Sequence, residues 1–558
     1  MARKILRAAE ALRDALVDLG ADRIFCVPGE SYLTFLDALH GFSHLQTVIC
    51  RHEGGAGLMA VGDAKLTGKP GIVAVSRGPG ATNASIAVHL AEQDAVPLIL
   101  LVGQVARHER GRGAFQEVDY TQFFGGMAKG IWEVQHATQL VEIITRAWQV
   151  AVSGTPGPVV IALPEDMLSD QVDAPAQPAA TPVTRTGPGQ DDIAQAAEML
   201  SQADRPLIIA GGGLDTPKGR AALHRLAETH NIPVALTFKH QEIFDNGSRL
   251  FAGHLGFKIP YGHVEALSQS DLILALGTRL NDTPTQGYTL PRAPVPDQPL
   301  IHVWPDADKL NRVIRANLSV PCDPAAFCDA LTTACAVKDG AHTDWVDTIA
   351  GATTKLTSYT PTDQTDGLDF GRVVAELARQ APKDTIVTTD AGNFSGWVHQ
   401  SWPWNGTQKA IGAAGGAMGL GVPGAVAASL RYPDQTVLAF AGDGGIMMTG
   451  NELATALAYG ATPKIVISDN GTYGTIRLHQ ERDYPNRISG TDLKNPDFTA
   501  WGAAFGAASF VIRDGDDIAE IVGAFLSTDG AAVLCVKSSA EAISPFTTIS
   551  GLHARMRK

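Results

Sequence analysis

Residues 437–474 read VLAFAGDGGIMMTGNELATALAYGATPKIVISDNGTYG. The opening run 437–440 is short and apolar, as in a parallel strand covered on both faces. Gly442, Asp443, Gly444 and Gly445 form a turn where backbone can approach a ligand closely. The stretch 446–459 is predicted as a helical crossover and 464–468 as the next parallel strand. Asp443 and Asn470 then stand at the carboxyl ends of two strands, the ligand edge of an open α/β sheet. Asp443 offers a hard anionic oxygen and Asn470 a neutral one. Backbone carbonyls and phosphate oxygens could complete an octahedral Mg²⁺ site around them. The helix N-terminus after Gly444 adds N–H donors for an anion. The competing reading is an acidic turn in an ordinary α/β domain.

Working outward, 558 residues suggest three or four domains. Hydrophobic content of 45% with 18% charged residues describes a well-cored globular chain. The formal charge of −14 is spread without long runs, which argues against a nucleic-acid partner. The longest apolar stretch, near 96–102, is too short to span a bilayer. Asp14 and Asp18 interrupt any signal-peptide core, so the N-terminal segment is predicted as a first structural helix, and the location as cytoplasmic. The six cysteines, Cys26, Cys50, Cys322, Cys328, Cys335 and Cys535, are scattered. They read as reduced structural thiols, with no zinc motif.

The fold class is α/β, with three doubly wound parallel-sheet domains expected over 1–168, 191–340 and 369–558. In the first, strands are predicted at 23–27, 47–50, 71–76, 97–103 and 158–163, alternating with helices. Residues 168–190, rich in Pro, Ala, Thr and Gln, read as a linker, and so do the polar residues 341–368. The central segment carries Gly211-Gly212-Gly213 after a strand. That triplet is either a structural turn or a dinucleotide-binding turn, and no acidic residue closes the second strand as a ribose partner would. Residues 72–103 and 437–468 share one layout: strand, glycine-flanked turn, helix, proline, strand. One duplicated fold with a different unit between explains this.

GDG, 24 intervening residues and DNGTYG together resemble the diphosphate-binding motif of thiamine diphosphate (ThDP) enzymes. The first Asn of the family's pair is Asp469 here. RHEGGAGLMA at 51–60, GPGATN at 78–83 and AFQE at 114–117 resemble the acetolactate synthase large-subunit group. The resemblance covers essentially the whole chain and implies pyrimidine-binding, central and diphosphate-binding domains in that order. It implies Asp443, the Asn470 side chain and the Thr472 backbone carbonyl as Mg²⁺ ligands. It implies Glu53 as the acid that drives the aminopyrimidine tautomer and so the ylid, where burial would favour its neutral form. A helix N-terminal acid is the alternative for Glu53.

Further cofactor-side residues implied are Gly80, Asn83, Asp390, Gly392, Met418 (a wedge under the bent cofactor), Gly442, Gly444, Gly445, Tyr473 and Gly474. Gln116 is implied on the substrate side. His479 stands where acetolactate synthases carry an acceptor-selecting tryptophan. It reads as a proton donor or acceptor near neutral pH, or as a polar rim residue. Arg77 reads as a partner for a carboxylate or phosphate, or as a solvated interface residue; Lys129 reads as a surface lysine. Segment 277–282 partly resembles that of FAD-containing members. The expected activity is ThDP- and Mg²⁺-dependent decarboxylation of a 2-oxo acid with carboligation, in a homodimer or homotetramer with active sites at the subunit interface. The alternatives are a simple 2-oxo acid decarboxylase, a 2-hydroxyacyl or diketone lyase, a flavin-dependent oxidase and a non-catalytic nucleotide-binding protein.

Overall fold

Apolar runs buried from end to end form the inner strands, as expected where helices cover both faces of a parallel sheet, while edge strands such as Gly130–Glu133 are only half-buried. The computed structural model describes residues 5–174, 182–257, 259–336 and 340–556. It contains three six-stranded sheets and one antiparallel pair, Ile5–Arg7 with Gln171–Asp173. The N-terminal sheet runs Gln46–Ile49, Arg23–Cys26, Gly71–Val75, Leu98–Gln104, Pro158–Pro164, Gly130–Glu133, all parallel. The C-terminal sheet runs Ala410–Gly412, Ile386–Thr389, Val437–Gly442, Lys464–Asp469, Ala532–Lys537, Ala508–Ile512. Counted along the chain within each sheet, both orders are 2-1-3-4-6-5. The internal repeat seen in sequence occupies the third and fourth strands of each.

The central sheet is different. Its order is Phe251–Leu255, Val234–Thr237, Pro206–Ala210, Leu272–Leu276, Leu300–Val303, Leu318–Val320, or 3-2-1-4-5-6. This is the order of a mononucleotide-fold pair. Gly211 donates its N–H to the Leu276 carbonyl (3.0 Å), and Gly213 to that of Gly277 (2.8 Å). A Cβ at Gly213 would lie 2.8 Å from the Gly277 Cα. The glycine triplet therefore has a packing role.

The chain forms two compact units. One takes residues 1–183, 385–395 and 411–540, and so holds both the N- and C-terminal sheets. The other takes 184–384, 396–410 and 541–558. Residues 369–384, 396–410 and 541–558, read from sequence as part of the C-terminal domain, thus belong with the central sheet. The reason is packing: Asn246 donates to the Trp404 carbonyl (2.9 Å), Phe238 meets His399 edge to face, Phe546 packs against the central core, and Gly371 lies against Trp397. The predicted linker 341–368 also differs from the structure. Thr343–Thr357 is a helix whose Trp345, Val346, Ile349 and Leu356 are buried. Its polar residues mask the 3.6-residue spacing of these four apolar ones. Of the first linker, 175–181 lie outside the described residues.

Within the first unit, the helix Glu53–Thr67 packs between Pro79–Asp94 and Gly421–Arg431. Gly62 allows the last approach, because a Cβ there would lie 3.1 Å from the Gly424 Cα. Arg431 joins Asp63 (2.8 Å) and Asp22 (2.6 Å) alongside this contact. The six cysteines are free and buried. Burial pushes the Cys26, Cys322 and Cys535 thiols up to about 12.

Trp345 donates its indole N–H to the Pro206 carbonyl (2.8 Å) as well as filling the core. Replacing Trp345 by Ala is expected to lower stability by about 3–5 kcal/mol, read by denaturant unfolding of the central unit's signal. A loss below ~1 kcal/mol would return 341–368 to the status of a linker.

Candidate functional site

The strand Val437–Gly442 passes directly into a helix, Asp443–Thr449. The predicted four-residue turn is therefore shorter, and Gly444 and Gly445 are helical. A side chain at Gly444 would run into the Tyr473 ring, and one at Gly445 into the Asp390 carboxylate. The predicted crossover helix is also interrupted: Gly450–Glu452 is a 3₁₀ turn before Leu453–Ala458 resumes.

Asp443 is buried. Its Oδ1 accepts from the Gly444 N–H (2.9 Å), and its Oδ2 from the Gly471 N–H (2.7 Å) and the Asn495 amide (2.8 Å). Burial pushes this carboxyl up from its ordinary range, and the Asn495 hydrogen bond opposes the shift. Asn470 follows the strand Lys464–Asp469, and its Oδ1 accepts from the Thr472 N–H (3.2 Å). Residues 471–473 are pinned from the other side: Leu493 donates to the Gly471 carbonyl (2.8 Å), and Tyr473 to that of Thr491 (2.9 Å). The Thr472 carbonyl oxygen accepts no hydrogen bond among the described residues. A carboxylate, an amide oxygen and a free carbonyl on two adjacent strand ends form a hard oxygen set, the donor chemistry that Mg²⁺ requires.

Asp469, where the family motif has Asn, is compensated. Its Oδ2 pairs with Lys537 and its Oδ1 accepts from Asn495 (2.8 Å). Asn495 thus bridges Asp443 and Asp469. Asp390, also buried, accepts from the Ala391 N–H (2.8 Å) and the Gly419 N–H (2.6 Å), which fixes the chain beside Met418. Next to Gly392, Asn393 donates to the Gly474 carbonyl (3.0 Å) and accepts from Thr475 (3.0 Å). His479 lies on the helix Gly474–Asp483, and its Nδ1 accepts from Arg482 (2.8 Å). In the neutral ring the proton is then on Nε2.

A second cluster surrounds Glu53, the first residue of the helix Glu53–Thr67. Asn83 donates to its Oε2 (3.0 Å), and Gly80 leaves room beside its Oε1. In the single chain Glu53 is half-buried, so the apolar enclosure expected from sequence is not supplied by this chain alone. Gln116 has φ +63° and sits against Gly78, itself at φ +58°. Arg77 is buried and pairs with Glu165 (2.8 Å) and Glu30 (2.9 Å), so of the two readings it meets carboxylates. Lys129 donates to the carbonyls of Val150, Ser153 and Thr155 at a helix end, a more fixed place than a surface lysine.

The roles of three residues escaped the sequence reading, one of them, Glu117, inside a quoted motif. Glu117 accepts from the N–H groups of Gly111, Gly113 and Ala114 and pairs with Arg110, which shapes the loop bearing Gln116. Asn495 lies in a polar loop with no motif. Glu452 is buried, accepts from the N–H groups of Arg51 (3.1 Å) and His52 (2.9 Å), and so ties the Asp443 half to the turn before Glu53. Nothing in its local pattern separates it from an ordinary helical acid.

Residues 6–123 match the N-terminal TPP binding domain of thiamine pyrophosphate enzymes, 193–331 their central domain and 390–536 their C-terminal TPP binding domain. The chain belongs to the thiamine pyrophosphate enzyme family. Within that class it is a ThDP-dependent, acetolactate synthase-like enzyme acting on C–C bonds. It is 29% identical to the acetolactate synthase large subunit of Lactococcus lactis, over 98% of this chain and 95% of that one. The large subunit from Parasynechococcus marenigrum is 32% identical over 91% of this chain and 84% of its own. The isozyme 2 large subunit of Escherichia coli is 30% identical over 95% of each chain. No helix among the described residues is long and apolar enough to cross a membrane.

Removing Lys537 leaves a buried carboxylate without its cation. The Lys537→Met variant is expected to lose about 1–2 kcal/mol, a figure reduced because the lysine side chain is 43% exposed. Adding Asp469→Asn should restore most of that loss in thermal unfolding. If the double variant is no more stable than the single one, the compensation is not what holds this strand end.

Proposed function

We propose that the chain decarboxylates a 2-oxo acid with ThDP and Mg²⁺ and joins the resulting unit to a second carbonyl compound. What supports this reading is that Asp443 stands at the end of one strand while Asn470 and Thr472, with its unpartnered carbonyl, stand at the end of the neighbouring one. The relatives named acetolactate synthase support it. Bound ThDP supplies a nucleophilic carbon and an electron sink.

The chain's own residues do the rest. Asp443, Asn470 and Thr472 hold Mg²⁺, and the glycines at 442, 444 and 445, with Asp390, Gly392, Tyr473 and Gly474, shape the diphosphate side. Met418, held by the Asp390 to Gly419 bond, supports the cofactor. Glu53, oriented by Asn83 and next to Gly80, gives and takes a proton at its carboxylate oxygen. Gln116 donates and accepts hydrogen bonds at the substrate but cannot act as a general acid or base. His479, its Nδ1 taken by Arg482, is the polar side chain that stands where the acceptor-selecting tryptophan is expected.

The active unit is a homodimer or a homotetramer built from it. Phe115 is 72% exposed, Met447 55% and Ile476 53%, each within three residues of a site residue or beside the helix that bears one. Apolar groups left bare around a polar site are the mark of a surface that a second copy covers. That copy would also enclose Glu53. A lyase without carboligation is the second reading; His479 in place of the acceptor-selecting tryptophan favours it. The domain assignment follows the sheets: pyrimidine-binding N-terminal, central, and diphosphate-binding C-terminal.

Calorimetric titration of the metal-stripped chain with ThDP tests the anchor. Binding should require Mg²⁺ and weaken in Asp443→Ala by at least about tenfold, or ~1.4 kcal/mol. Equal affinity in that variant would remove the assignment. Glu53→Gln should keep ThDP binding while turnover falls by about 10²–10⁴. Product analysis with and without an acceptor carbonyl separates ligase from lyase, and the colour of the purified protein reports a flavin in the central unit.

A further inference from the structure

A second group of metal-ligating side chains lies in the unit of the central sheet and takes no part in the proposed chemistry. Pro206–Ala210 and Val234–Thr237 are adjacent parallel strands, with Leu236 opposite Ala210. The loops that leave their carboxyl ends therefore start side by side. The first passes through Gly212–Leu214 to Asp215, and the second through His240 to the turn Gln241–Ile243. One ligand atom each from Asp215, His240 and Glu242 lies within 4.8 Å of the others.

Glu242 is 1% exposed and its Oε2 has no partner. The buried Nδ1 of His240 also has none, and it stands 3.9 Å from the Glu242 Oε1. That separation is too long for a hydrogen bond. Two ligands each about 2.0–2.2 Å from one tetrahedral ion stand about 3.3–3.6 Å apart, so a small closing of this pair brings both onto one metal. An unpartnered buried carboxylate is costly and calls for a cation.

The surroundings hold the cluster in place without filling it. Arg220 directs Nε (3.0 Å) and Nη2 (2.6 Å) to the same Asp215 oxygen, Oδ1. The Asp215 Oδ2 accepts nothing among the described residues. The third guanidinium nitrogen, Nη1, donates to the carbonyls of Glu242 (3.0 Å), Gly406 (3.1 Å) and Gln408 (2.7 Å). The His240 ring packs on Gly212, where a Cβ would lie 2.6 Å from its Cε1. With a neutral imidazole, two carboxylates and one guanidinium leave a net charge of −1, which a divalent cation would reverse.

We propose that Asp215, His240 and Glu242 bind a divalent transition-metal ion, with Zn²⁺ the best fit, that joins the first two loops of the central sheet. One imidazole nitrogen and two carboxylate oxygens suit Zn²⁺, Co²⁺ or Mn²⁺ better than the all-oxygen preference of Mg²⁺ or Ca²⁺. Three protein ligands leave a position for water. The site shares no residue with the Asp443 set, so it stands or falls separately from the proposed function.

The test uses the full chain carrying Asp443→Ala, stripped of metal and kept in excess Mg²⁺. Zn²⁺ is titrated by calorimetry, and the metal retained after gel filtration is counted. We expect one Zn²⁺ per chain and a rise in melting temperature. Adding His240→Gln or Glu242→Gln should weaken binding at least tenfold and abolish that rise. Co²⁺ in place of Zn²⁺ should give a visible absorption band that the His240→Gln change removes. No stoichiometric Zn²⁺ in the Asp443→Ala chain would overturn the proposal without any further variant. So would unchanged affinity in either folded double variant.

Discussion

Asp443 has left water, and holding a carboxylate there dictates much of the chain around it. Taking a charge into a protein interior is tolerable only when donors or a cation replace the lost solvent. Asp443 finds its donors in Gly444, Gly471 and Asn495. Each carries a structural demand. Gly444 brings the helix start onto the strand end, Gly471 requires the sharp turn after Asn470, and Asn495 draws in the following loop. Because Asn495 also meets Asp469, the two acids share one donor, and Lys537 from the neighbouring strand takes up the extra charge. The Asp at 469 is thus an Asp–Lys exchange across adjacent strands rather than a stray anion.

Glu452 extends the same logic along the chain. It too is a buried acid, pushed up by burial, and its partners are the backbone N–H groups of Arg51 and His52. These belong to the turn that places Glu53 at its helix start. Close packing of Glu53–Thr67 on Gly421–Arg431, through Gly62 and Gly424, adds a rigid contact between the same halves. The positions of Glu53 and of the Asp443 turn are therefore set by contacts inside one compact unit.

Much of this was legible in the sequence for physical reasons. Doubly covered parallel strands read as continuous apolar runs, so the strands beside the site, 71–75, 98–104, 437–442 and 464–469, were found to within one or two residues. The strand ends put Asp443 and Asn470 at the carboxyl edge of the sheet, where the structure has them, and their reading as ligands came from the motif rather than from the strand pattern. What was missed depends on distant parts of the chain. Asn495 and Glu452 matter because of where folding brings them, and no local period marks them. The helix Thr343–Thr357 was lost because threonines and aspartates between its apolar positions imitate a linker. Short edge strands such as Leu318–Val320 carry too few residues for a period to show.

The shared 2-1-3-4-6-5 order of the N- and C-terminal sheets lets the two halves be compared position by position. Superposing the repeat by sequence sets Gly78 against Asp443. The acid belongs to one copy only, and the other supplies Glu53 from a different loop. Gly78 now has φ +58°, with the Gln116 Cβ 2.9 Å from where its own side chain would start. An aspartate placed there would meet both a disfavoured backbone and an occupied space. The packing at Gly78 therefore keeps the two halves distinct, and a single substitution there cannot give the first half the acid of the second.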